Sequence, residues 1–167
     1  MAFLKDLLIV KRSKKMGNKK MSKNAVKKAV IVLGYSNNGK TKTILNCINR
    51  YEVSNRATPR VKVMNQLYNF QQNKNVFIQG QSPSESKTSL ATLLNGQRPD
   101  YLIVAEQING ALLSNTRAFL QRNNYQFTEF RIANPANPSP IHWNYDKNGL
   151  PPQRILEQRA DDIFNAL

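Results

Sequence analysis

Val30–Ile48 reads VIVLGYSNNGKTKTILNCI. With Ala29 in front, a continuous apolar run ends at Gly34, the pattern of a strand buried on both faces. Small and polar residues follow. From Thr41 to Tyr51 the apolar residues Ile44, Leu45, Cys47 and Ile48 recur on one side of a predicted helix. Between strand and helix, Gly34, Gly39, Lys40 and Thr41 fill every fixed position of G-x-x-x-x-G-K-[ST]. At average residue usage that coincidence is expected in under about 1% of chains this long.

The spacing has a chemical consequence. Four residues between two glycines let the backbone wrap an anion with its N–H groups pointing inward, and the glycines permit the dihedrals and the close approach. A lysine there reaches the β- and γ-phosphates of a nucleotide, and the following hydroxyl ligates magnesium. The predicted helix adds the positive end of its dipole. The candidate binding residues are therefore Gly34, Tyr35, Ser36, Asn37, Asn38, Gly39, Lys40, Thr41 and Lys42, with Lys40 also stabilising charge that develops on the γ-phosphate.

Outward from this segment, strand and helix signals alternate. NVFIQGQ (75–81) and DYLIVAEQ (100–107) read as strands, as does YQFTEFRIA (125–133). VKVMNQLYNF holds a further strand placed from Val61. Ser82 before Pro83, with Glu85 three residues on, opens a helix that Asn95-Gly96 closes. INGALLSNTRAFLQR is the next helix. IHWNYDKNG suggests an extended piece and a turn. Pro151-Pro152 open a last helix, whose Leu156, Ala160, Ile163, Phe164 and Leu167 share one face. The alternation predicts an α/β fold in three layers, with a mainly parallel sheet of about five strands flanked by helices.

On the strand–GYSNNGKT–helix segment, the chain resembles the P-loop nucleoside-triphosphatase superfamily. The resemblance implies that fold, a bound ATP or other nucleoside triphosphate, Mg2+, and hydrolysis or phosphoryl transfer. The layout of residues 29–135 is also loosely similar to adenylate-kinase-like small kinases. Two strand ends then compete to supply the group beside the metal. Glu106 follows YLIVA, as the catalytic glutamate follows the second nucleotide-binding strand in many such ATPases, but Ala105 stands where those have aspartate. Gln79, in NVFIQGQSP, stands where the small kinases have theirs; an amide holds a metal-bound water but is no base. The resemblance thus makes Glu106 a catalytic and metal-site candidate and Gln79 a metal-site candidate, and Arg117 and Arg122 the arginines that would neutralise transferring phosphates. A GTPase fits less well: no N-K-x-D occurs, and Asp146-Lys147-Asn148-Gly149 reads as a turn. SNNGKT is also similar to the Asn-Gly-Lys of some superfamily-three helicases.

The 167 residues predict one domain with a single core. The formal charge of +15 is uneven, because ten Lys/Arg against Asp6 alone lie in residues 1–28. Those residues read as a basic arm, solvated or meeting nucleic acid or an anionic membrane, ahead of a nucleotide-binding domain at 29–167. The arm's apolar part is too short for a secretory signal. Cys47 is the only cysteine and His142 the only histidine, so neither a disulfide framework nor a multi-histidine zinc site can form. A reducing, cytoplasmic setting is expected. The alternative to an enzyme is a catalytically weak nucleotide-binding module, tethered by its arm to nucleic acid, membrane or a larger assembly.

Overall fold

The computed structural model describes residues 26–36, 38–53, 65–133, 142–144 and 152–167. β1 (Lys27–Gly34) leads through the glycine-bounded turn into α1 (Lys40–Tyr51). β2 (Gln66–Phe70), a short 3-10 turn and β3 (Lys74–Gln79) follow, then the short helices α2 (Pro83–Ser86) and α3 (Leu90–Leu94). β4 (Tyr101–Gln107), α4 (Leu113–Arg122), β5 (Tyr125–Ala133), β6 (His142–Asn144) and α5 (Gln153–Ala166) complete the order. The described strands form one six-stranded sheet, β2-β3-β4-β1-β5-β6. Five of them run parallel, and β2 joins β3 antiparallel at one edge.

Side chains alternate across this sheet with the strand period of two. Val30, Val32, Val76, Ile78, Ile103 and Ala105 face α1 and α5. Ala29, Ile31, Leu33, Phe77, Leu102 and Val104 face α3 and α4. Both faces are covered, which is why the central strands are apolar without a polar alternate. On the first face α5 seats Ala160, Ile163 and Phe164, with Leu167 at its end, and Leu156 is buried too, so this helix closes on its own sheet. Burying side chains such as Ile163 and Phe164 contributes about 2 kcal/mol each. Phe164 stacks on Tyr51 at 3.9 Å, and Phe70 tilts against both rings, tying α5 to α1 and β2.

Several expectations need correction. β1 begins at Lys27, so Lys27 and Lys28 belong to the fold and not to the arm, of which residues 1–25 lie outside the described residues. β2 starts at Gln66; residues 54–64, including Val61, also lie outside them. The helix predicted from Ser82 to Leu94 is two. Ser82 does cap it, accepting from the Glu85 N–H, but Lys87 turns left-handed at φ 55° and Ser89 caps a second start. The helix predicted from Ile108 begins only at Leu113. His142 and Trp143 fall in β6, while the turn at 146–149 lies outside the described residues.

Candidate functional site

A parallel sheet gathers the C-terminal strand ends on one edge, and ligands bind where neighbouring strands send their connections opposite ways. That point lies between β1 and β4. From β1 the chain crosses through α1 on one face towards β2 and β3, and from β4 it crosses through α4 on the other towards β5. Above it opens a cleft of about 440 Å³ lined by Ser36, Asn38, Gly39, Lys40, Thr41, Gly80 and Glu85. The loop after β1 forms one wall and the loop after β3 the other, with the tip of β4 between them.

Both glycines of the GxxxxGK[ST] pattern have structural causes. Gly39 sits at φ 82°, in the left-handed region that favours glycine, and being the N-cap of α1 it leaves the first-turn N–H groups without an N-cap side chain. A Cβ on Gly34 would lie 3.1 Å from Lys40 Cγ, because the lysine stem folds back across that glycine. Lys40 is 7% exposed. Its Nζ donates to the carbonyls of Gly34 at 3.0 Å and Tyr35 at 2.9 Å, and to Glu85 Oε1 at 3.4 Å. Ser36 Oγ also donates to Glu85 Oε1, at 3.5 Å, and accepts from Gln107 Nε2. Thr41 lines the cleft, Tyr35 is half exposed, and Lys42 is exposed on α1. Asn37 lies outside the described residues.

The strand-end candidates are placed differently. Glu106 shares the parity of Leu102 and Val104, so its side chain turns to the α2/α4 face. It is fully buried: Oε1 accepts from Ser82 Oγ, Ser84 N and Gln107 N, and Oε2 from Thr116 Oγ1. Four donors converge on it, and these hydrogen bonds link α2 and α4 to the end of β4. Gly110 permits that packing, since a Cβ there would lie 2.3 Å from Ser84 Oγ. Gln79 is also fully buried, with Nε2 bracing the carbonyl of Gln81 and Oε1 without a hydrogen-bond partner among the described residues. Ala105 occupies the parity that faces α1.

Neither arginine is gathered at the cleft. Arg117 makes a bidentate pair with Glu129 on β5 at 2.6 and 2.7 Å, and Glu129 holds its guanidinium above the usual range. Arg122 ends α4, at the opposite edge of the sheet, and donates to the Ala118 carbonyl. The acid that does line the cleft is Glu85, which the sequence marked only as the fourth position of a capping box. Its signal was the loop after a buried strand, the same place as Gln79, six residues further on. Comparison with protein-family models, with curated proteins and with solved structures returns no match.

Proposed function

We propose that this chain is a P-loop domain that binds a nucleoside triphosphate with magnesium in the cleft between the loops after β1 and β3. The observation that carries the reading is the conjunction at Lys40: a buried ammonium beside a glycine N-cap, opening on a cleft at the switch point of a parallel sheet. The first-turn N–H groups and Lys40 would hold phosphate oxygens. The oxygen donors present suit magnesium, which ordinarily takes one or two protein oxygens and completes its shell from phosphates and water. Thr41 would be its protein ligand. Bound there, the ion would neutralise charge on the β- and γ-oxygens.

The burial of Glu106 favours the binding-module reading over fast hydrolysis, because a carboxylate committed to four donors is not positioned to activate water. Lys40→Ala tests the site. Hydrogen bonds to charged groups are worth about 1.5–3 kcal/mol, so the variant's affinity for Mg·ATP should fall by roughly ten- to a hundredfold. Equilibrium binding measures this, with phosphate release followed in parallel. Equal affinity in the two proteins excludes the site, whereas rapid phosphate release by the native chain would restore the enzyme reading.

A further inference from the structure

Lys40 has three N–H donors, and all three are in use: two on carbonyls fixed by β1 and its turn, the third on Glu85. A phosphate that engages this ammonium must displace one of them. Glu85 is the partner that yields, because its contact is the longest of the three and its side chain is 35% exposed on a four-residue helix. Once displaced, the carboxylate still lines the same cleft as Thr41 and the loop after β1. A polyanion there meets a negative charge in the same cleft, and like charges so placed oppose binding. A divalent cation reverses the sign.

From this geometry we infer that Glu85 makes nucleotide entry conditional on a divalent cation. Without ligand it neutralises Lys40; with ligand it would release the lysine to the phosphates, and Glu85 and Thr41 would be the protein oxygens available to a magnesium ion. This rests on the P-loop reading and adds a residue to it. Neither Glu106 nor Gln79 is needed for the metal, and Glu85 becomes the acidic group of the site.

The test compares the affinities of ATP and of inorganic tripolyphosphate, which has no base to be selected, in excess magnesium and in EDTA. Native protein, Glu85→Gln and Glu85→Asp are measured. Complexation in solution is common to all three proteins, so the difference between their magnesium responses isolates the residue. Glu85→Gln should bind metal-free tripolyphosphate about tenfold more tightly than the native chain and lose most of its magnesium response, a coupling at the lower end of the usual range. Glu85→Asp, which keeps the charge, should keep the response. An identical magnesium response in native and Glu85→Gln proteins, or loss of it in Glu85→Asp, overturns the inference while leaving the site standing. Absence of binding by the native chain to either probe overturns both.

Discussion

Glu106, a residue type that suggests chemistry, accepts four hydrogen bonds at the buried end of β4. Its neighbours Ser82 and Thr116 are as buried as it is. Truncation to Ala would leave two hydroxyls and the Ser84 N–H facing an apolar gap, and each unsatisfied buried group costs about 1–3 kcal/mol. Glu106→Ala should therefore lose about 3 kcal/mol or more, visible as a lower urea midpoint. Glu106→Gln keeps an acceptor for the three donors at Oε1, and Thr116 can accept from its amide, so it should lose about 1 kcal/mol. It should also leave nucleotide affinity unchanged. A Glu106→Gln protein that folds normally but binds no nucleotide would contradict this assignment. The strand ending at Glu106 was legible in the sequence, but the direction of the side chain was not. In a run buried on both faces, every position is apolar and the period of two leaves no trace.

At the scale of elements, boundaries fixed by local chemistry were legible and those fixed by competition were not. β5 covers the residues its pattern predicts, and α5 buries the face it predicts, because strand propensity and a 3.6-residue stripe agree with the packing. The segment after Ser82 instead offers two N-caps, Ser82 and Ser89, and the second interrupts the helix that the first begins. Between α1 and α5, Arg50, Tyr51 and Asp161 make a polar tie that no sequence pattern announces. Tyr51 foremost, and Arg50 with it, hold the Asp161 carboxyl below the ordinary carboxylate range. The folded chain therefore binds fewer protons here than the unfolded chain in mild acid. The stabilisation is complete above the unfolded value of about 3.9, and it is lost as pH falls through the lower folded value. Arg50 and Asp161 are both exposed, so solvent screening keeps the gain at neutral pH small. Asp161→Asn should remove that small increment at pH 7 and flatten the acid limb of urea stability below about pH 4; an unaltered acid limb would mean the tie contributes nothing.

Across the whole molecule, parallel topology separates two kinds of surface. The cleft lies at the C-terminal strand ends, whereas Lys27 and Lys28 of β1 and Lys74 of β3 stand at the strand starts. Arg98 lies just before β4 and Arg122 ends α4 on that same side, with Asp100 the acid among them. Lys74 is packed over the Phe164 and Tyr101 rings, and burial, then Lys28, pushes its pKa down. Val26 joins Lys27 at that same basic edge, where the described chain begins. The eight residues of β1 span roughly 26 Å at about 3.3 Å per residue. That is some three times the Debye length of about 8 Å at physiological salt. Charges at one edge therefore act weakly on ligands at the other. If the arm is the tether, deleting residues 1–20 should weaken salt-sensitive retention on duplex DNA or on anionic vesicles, and which of the two is lost identifies the anionic partner. If the arm acts only as a tether, the same deletion should leave the affinity for tripolyphosphate unchanged. A deletion that alters both affinities together would mean that residues 1–20 act on the cleft as well as on the anionic partner.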